Sequence, residues 1–393
     1  MRRVLIRGVG MTRFGKLLDR SLKQMGAEAV NAALADARLG IADIPAAFVG
    51  NCLAGQITGQ ESIRGETILM AMGFGTIPMH NVENACATAG NALHLAWLSV
   101  ASGLTDVALA VGVEKANCED MSKTFAAYSG GMDIDDRFEV GAGAGEDRSV
   151  NVDRQATLAR ELMERTGVTA RHLAMVAARD LANGQRNLLA HRQFGGSADD
   201  VLNARLVVAP ITSLMSSPIS DGAAAAVVVS DRFGVEPGDI EIVGSALRTR
   251  RALDDQSGPQ VVESATSAAY EMAGLGPEDI DVAEIHDASV AYELRAWTES
   301  GLCPPGDEVR WIESDHTAIT GPMPLNPSGG LVARGHAVGA SGIAQIYELV
   351  MQMRGAAGDR QVARARTALA QIGGGAIGFE TACSTAHVLR VPR

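Results

Sequence analysis

The sequence predicts an α/β fold in which helices cover the sheet and the chain is built from two similar halves. Three observations carry that expectation. Short apolar or β-branched runs alternate with longer helical patterns, which is the grammar of βα units and not of a sandwich. A helix–glycine–strand stretch near residue 40 recurs about 236 residues further on. Finally, 44 glycines and abundant alanine against 4% aromatics favour close helix–helix and helix–sheet approach.

In chain order, residues 4–9 read as the first strand. Arg2 and Arg3 precede it, but Arg7 and Gly8 interrupt the apolar run too early for a secretory segment. A helix is expected over 21–37, a strand over 46–50, a helix over 90–102 and a strand over 107–113. From about Lys115 to Arg205 the pattern changes to a glycine-rich loop (Gly141, Gly143, Gly145) and two polar helices. This reads as an excursion from the core that shapes a pocket. Residues 223–230 return to buried strand. The expected division is residues 1–240 for the first half, including the excursion at about 115–205, and 241–393 for the second.

The repeat sets Ala33, Ala37, Leu39, Gly40, Asp43, Ile44 and Ala47 on Ala269, Ala273, Leu275, Gly276, Asp279, Ile280 and Ala283. A weaker echo sets the small-residue run opening at Cys86 against the one opening at His336. Duplicated βα halves facing each other bring those two side chains together.

Composition excludes several classes. The chain has 393 residues, is 47% hydrophobic and 20% charged, and carries a net charge of -12. A large core is available, and nucleic acid, which selects basic surfaces, is an unsuitable partner. No apolar run approaches the roughly 18 residues that span a bilayer. Five cysteines without a Cys-x-x-Cys pair disfavour both a disulfide framework and a zinc ribbon, so a reducing cytoplasm is the expected setting. No set of histidines has metal-ligand spacing, and no metal is expected.

The reactive candidates are few. Asn84 reads as a helix cap, placing Cys86 in the first turn, where unpaired N–H groups and the dipole stabilise a thiolate. A buried structural cysteine is the alternative, and it is the expected role of Cys52, Cys118, Cys303 and Cys383. His336, between glycines at a helix start, is placed for proton transfer or simply caps the turn. His286 ends a buried strand, where α/β folds gather active-site groups, or pairs with Asp287 in the core. Gly373-Gly374-Gly375 is expected in a tight inter-strand turn whose N–H groups can form an oxyanion hole. No G-x-S-x-G is present, so a serine hydrolase elbow is excluded.

Asn84-Ala85-Cys86, Ser220-Asp221-Gly222, His286-Asp287-Ala288, the run from Gly335 to Gly342 and Gly373-Gly374-Gly375 together resemble the thiolase superfamily in order and spacing. The His-Asp form at 286 and 287 is most similar to the sterol-carrier-protein-type thiolases and their bacterial and archaeal relatives. The resemblance implies two duplicated βαβαβαββ halves forming a five-layer αβαβα core with an inserted loop domain. It implies Cys86 as the acylated nucleophile and His336 as its base. His286 is implied at the enolate hole, and the N–H groups of Gly373 and Cys86 at the second hole. Ser217 is implied as a contact of the pantetheine arm. Coenzyme A enters as co-substrate beside an acyl-CoA, with no resident cofactor. A homodimer and a small zinc-ribbon/OB-fold partner are implied in the same way.

Two departures stand out. Where such enzymes carry a second catalytic cysteine, this chain has Gln371 and Ala288, and Ala337 replaces the proline after the motif histidine. The expected function is therefore a degradative 3-oxoacyl-CoA thiolase for a bulky or unusual acyl group. A retro-aldolase acting on a β-hydroxyacyl-CoA and a non-catalytic acyl-CoA-binding subunit are the alternatives. A basic stretch, Arg248-Thr249-Arg250-Arg251, is one candidate for the coenzyme A phosphates, with a solvated loop as the other reading.

Overall fold

A computed structural model describes residues 2–135, 143–252 and 259–392; of the glycines of the excursion, Gly141 lies outside the described residues. The first half contributes strands β1 (Val4–Met11), β2 (Ala47–Gly50), β3 (Met79–Val82), β4 (Val107–Glu114) and β5 (Gly222–Ser230). The second contributes β6 (Ile240–Thr249), β7 (Val282–Glu284), β8 (Thr367–Ile377) and β9 (Glu380–Arg390). Their spatial order is β3-β2-β4-β5-β1-β6-β9-β8-β7. The halves meet edge to edge through β1 and β6, where only Leu5–Glu241 and Ile6–Ile240 pair.

The longer helices are α1 (Leu22–Ala37), α2 (Thr88–Ala101), α3 (Met121–Ser129), α4 (Asn151–Thr166), α5 (Ala170–Gln185), α6 (Val261–Ala273), α7 (Val290–Glu299) and α8 (Ser341–Met353). Helix α1 starts at a capping box in which Ser21 Oγ accepts from Gln24 N–H and Gln24 Oε1 accepts from Ser21 N–H. It covers the outer face of the first half-sheet, with Leu5, Ala33, Leu109 and Val227 buried between them. Helix α6 covers the second, over Ala246, Leu369 and Val388. Between the half-sheets lie α2 and α8, whose Ala92, Trp97, Ile343 and Leu349 share one core with Ile6, Val228 and Ala368. That makes five layers. None of the described helices is long and apolar enough to cross a membrane.

The sequence repeat is a repeat of contacts. A Cβ on Gly8 would lie 2.2 Å from Ala33 O, and one on Gly244 would lie 2.1 Å from Ala269 O. Each outer helix therefore rests on a glycine of its strand at the same offset, and alanine at either position pushes the layers apart. Ala47 N–H donates to Pro78 O at 3.0 Å, and Ala283 N–H to Pro324 O at 3.1 Å. Gly40 N–H and Gly276 N–H donate to Asp43 Oδ2 and Asp279 Oδ2, both at 2.8 Å. Even the Leu-Gly-x-x-Asp-Ile core thus closes the same turn twice.

The central helices make the corresponding approach to each other. A Cβ on Gly342 would come within 2.5 Å of Gly90 N, so α2 and α8 abut near their N-termini. The residues just before each helix, Cys86 and His336, are thereby delivered to one place. Helices α3, α4 and α5 of the excursion lie over that point, α5 against the short turn Gly330–Ala333 and α4 against α7.

Candidate active site

Cys86 lies in a single helical turn, Ala85–Ala87, ahead of α2. The expected Asn84 side-chain cap is absent; instead Asn84 N–H donates to Thr88 Oγ1 at 2.8 Å, which orders the turn from the other side. Ala85 holds a left-handed φ of 49°, a conformation that costs a non-glycine residue about 1–2 kcal/mol. Glu83 Oε1 accepts its N–H and pins it. Strand β8 presses on the same turn: a Cβ on Gly374 would sit 2.1 Å from Asn84 O and 2.7 Å from Ala87 N. Only glycine permits that contact.

The three glycines lie inside β8, not in the inter-strand turn expected from sequence. Strand pairing continues to Ile377–Glu380, and the turn falls at Gly378 and Phe379. Gly373 and Gly374 pair with Ser384 and Cys383, while Gly375 takes a left-handed φ of 64° without shifting the register of the hairpin. The glycines serve the close approach to Cys86, and the hairpin turn is made by later residues.

His336 Nε2 stands 3.0 Å from Cys86 Sγ. On its other side Nδ1 lies 2.8 Å from Ser341 Oγ, whose own hydroxyl donates to Ala337 O at 2.9 Å. With the hydroxyl proton so committed, Nδ1 must donate to Ser341, and the lone pair of Nε2 faces the sulfur. Burial, His286 and Arg334 hold the imidazole well below its ordinary value. Burial pushes the Cys86 thiol up to about 12, with Cys383, Glu114 and Glu83 adding to it and Arg154 opposing. The sequence expectation of a thiol lowered by a helix dipole is therefore reversed: desolvation of the anion outweighs one helical turn.

The His286 ring stands edge-on to the His336 ring at 6.0 Å and to the Tyr292 ring at 5.7 Å. Burial, with help from Arg154, lowers it to about 4, so it is neutral at pH 7. Asp287 does not pair with it. Its carboxylate accepts from Leu331 N–H at 2.7 Å and Val332 N–H at 3.1 Å. Glu284, two residues before His286, forms a fully buried ion pair with Arg334, two residues before His336, at 2.9 Å. These ties fix the two imidazoles relative to each other.

Gln371 accepts His286 N–H on Oε1 at 3.2 Å and donates from Nε2 to Ser384 Oγ at 3.0 Å. It is a backbone tie and offers no acid. Ala288 contributes its carbonyl, which accepts Ser217 N–H at 3.0 Å.

A cavity of about 390 Å³ opens onto the pair. Cys86, His336, His286, Gly373 and Ser217 all line it, so these five candidates named from sequence come to one place. The excursion supplies much of the wall, including Phe125, Tyr128, Arg148, Arg154 and Arg205. Arg248, Arg250 and Arg251 of the basic stretch are not among the lining residues. Sequence reading missed Cys52, Tyr128, Arg154 and Tyr292. Tyr292 alone carried a signal, one turn into the helix that opens just after the His-Asp motif. Among the described residues the clustered carboxylates Asp180, Asp287 and Glu293 lie behind the cavity. Arg179 already pairs with Asp180 and Glu293 and supplies the positive charge there.

Known proteins match this chain over most of its length. Residues 4–194 match the family model described as the thiolase N-terminal domain, and 248–386 the thiolase C-terminal domain-like model. An acetyl-CoA acetyltransferase of Methanothermobacter thermautotrophicus is 37% identical, over 92% of this chain and 94% of its own length. The benzoylsuccinyl-CoA thiolase subunit BbsB of Thauera aromatica is 34% identical, over 95% of each. Sterol carrier protein 2 of Gallus gallus is 32% identical, over 100% of this chain and 75% of that one. A solved structure titled Ltp2-ChsH2(DUF35) aldolase shares the fold, with a TM-score of 0.80 at 24% identity over 100% of this chain and 98% of that chain.

Proposed function

The chain belongs to the thiolase family, and from that premise we propose that it is a degradative 3-oxoacyl-CoA thiolase working through an acyl-Cys86 intermediate. The observation that carries this reading is the 3.0 Å contact of His336 Nε2 with Cys86 Sγ, with the tautomer set by Ser341. Nε2 takes the thiol proton as sulfur attacks the β-keto carbonyl. The tetrahedral oxyanion forms beside the backbone of Cys86 and Gly373. Its collapse breaks the carbon–carbon bond and releases an acyl-CoA enolate, whose thioester oxygen faces His286. The proton taken from Cys86 then returns to the enolate carbon. Coenzyme A, losing its thiol proton to His336, collects the acyl group and regenerates Cys86.

This sequence needs no second thiol. The burial that depresses His336 makes its protonated form a strong acid toward the enolate. Gln371 and Ala288 then stand where another acid is not required. Ser217 is assigned to the pantetheine arm. Apolar lining from Phe125, Val152 and Val207 leaves room for an acyl group larger than acetyl. The reading includes a homodimer, a small zinc-ribbon/OB-fold partner, and the cytoplasm, a setting supported by five free thiols.

Intact-protein mass after brief exposure to a panel of 3-oxoacyl-CoAs tests it. An acyl adduct on the native protein and none on Cys86→Ala is the expected result. Carbon–carbon cleavage that survives Cys86→Ala would instead identify a retro-aldolase. Binding without any adduct or cleavage would identify a carrier subunit.

A further inference from the structure

Arg154 has no part in that reaction, yet it lines the cavity and is only 5% exposed. Among the described residues, three other buried guanidinium groups meet buried carboxylates: Arg7 pairs with Asp239, Arg179 with Asp180 and Glu293, and Arg334 with Glu284. Arg154 meets none among the described residues. Its Nη2 donates to two carbonyls at the tip of the β8–β9 hairpin, Phe379 O at 2.9 Å and Glu380 O at 3.4 Å. The carboxylates next to it are taken: Glu380 pairs with Arg295, and Asp153 with Arg148. Its Nε is buried without a hydrogen-bond partner. Arg192, also without a carboxylate, differs because three carbonyls (Ser213, Ser216 and Val332) engage both of its terminal nitrogens.

A buried cation without a counter-ion is costly, and proteins keep one where a ligand supplies the missing charge. The position of Arg154 says which part of the ligand that is. It lines the same cavity as Cys86 and His286, so it shares a wall with the reacting atoms. Among the described lining residues, Arg205 is the exposed arginine and lies open to a polyphosphate. An anion reaching Arg154 therefore belongs to the acyl group and not to the coenzyme A phosphates.

We propose that Arg154 binds a carboxylate on the acyl group, so that the preferred substrates are acyl-CoA thioesters with a second, anionic end. The guanidinium, held by the hairpin carbonyls on one side, presents its remaining N–H groups to that carboxylate. The inference rests on the reading that an acyl-CoA occupies this cavity. It does not depend on which bond the enzyme then breaks.

The test separates the two. On a Cys86→Ala background, calorimetry compares succinyl-CoA with butyryl-CoA, which match in carbon count and differ in a terminal carboxylate. Succinyl-CoA is expected to bind tighter by about tenfold or more, the scale of one charge-assisted hydrogen bond. Adding Arg154→Gln should abolish the preference by weakening succinyl-CoA alone, and Arg154→Lys should keep part of it. Equal affinity of the two esters for the Arg154 protein would overturn the proposal. So would an equal loss of both in Arg154→Gln, which would make Arg154 a support for the hairpin or for charge on Cys86. The comparison on the Arg154 protein decides even where Arg154→Gln fails to fold. Thiolysis of 3-oxoadipyl-CoA against 3-oxohexanoyl-CoA by the native enzyme is read separately. No cleavage of either, with the binding preference intact, removes the thiolase reading and leaves the carboxylate site standing.

Discussion

His336 Nε2 and Cys86 Sγ face each other at 3.0 Å as an uncharged pair. The sign is the same from both partners. Burial raises the thiol to about 12 and holds the imidazole well below 6.5, so between those limits the proton stays on sulfur. A preformed thiolate–imidazolium pair would need the opposite ordering. In the ligand-free enzyme, iodoacetamide labelling of Cys86 should therefore keep rising with pH beyond about 9, following thiolate formation. It should show no plateau near neutrality. A plateau with an inflection below pH 7 would mean that the ion pair exists at rest.

Ser341 decides which nitrogen of His336 carries the proton. Its hydroxyl donates to Ala337 O, which leaves only its lone pairs for Nδ1–H. Ser341→Ala removes that acceptor and frees the ring to protonate Nε2, the wrong side for taking a proton from sulfur. Acylation of Cys86 should slow by roughly 10- to 100-fold, with a stability loss of about 1–3 kcal/mol from a buried Nδ1 left without a hydrogen-bond partner. Pre-steady-state acylation and denaturant titration measure the two effects. A stability loss with unchanged acylation would show that the serine only packs.

Much of this was legible in the chain because the repeat and the motifs are local patterns. The 236-residue repeat reported Ala33 and Ala47 together with Ala269 and Ala283, since each copy makes the same contacts; that Gly8 and Gly244 lie under Ala33 and Ala269 emerged only from the structure. The Cys86–His336 encounter followed from the same duplication. Three further things were not legible. The direction of the Cys86 shift depends on burial under the excursion, and no residue near Cys86 in sequence encodes that. The glycines at 373–375 were placed in a turn because a glycine run looks like one; their real constraint is the Asn84–Ala87 backbone, nearly 300 residues away in the chain. Arg154 became conspicuous only once the neighbouring carboxylates were seen to be paired elsewhere.

The contact of β8 with the Cys86 turn gives a sharp difference between adjacent glycines. A Cβ at Gly374 meets backbone, Asn84 O at 2.1 Å, whereas one at Gly373 meets first the Thr381 methyl at 2.9 Å. Backbone cannot rotate away, and a threonine side chain can. Gly374→Ala should lower stability by about 1–3 kcal/mol and abolish acylation by displacing the nucleophile. Gly373→Ala should fold with a smaller loss. Thermal unfolding of the two variants side by side is the measurement, and equal destabilisation would remove the argument.

The Arg334–Glu284 pair is buried on both sides, with side-chain exposures of 1% and 0%, and it joins the segments that carry His336 and His286. Ser328 reinforces it, donating from N–H at 2.9 Å and from Oγ at 2.8 Å to the Glu284 carboxylate. Removing one charge strands the other. Arg334→Met should cost about 3–5 kcal/mol, more than a surface ion pair ever contributes. Replacing both, as Arg334→Met with Glu284→Gln, should recover part of that stability because no uncompensated charge remains. Recovery of stability without recovery of acylation would show that the pair sets the spacing of the two histidines. Full recovery of both would reduce it to a packing element. The 6.0 Å edge-on arrangement of the imidazoles is held by these ties on either side, which favours the first outcome.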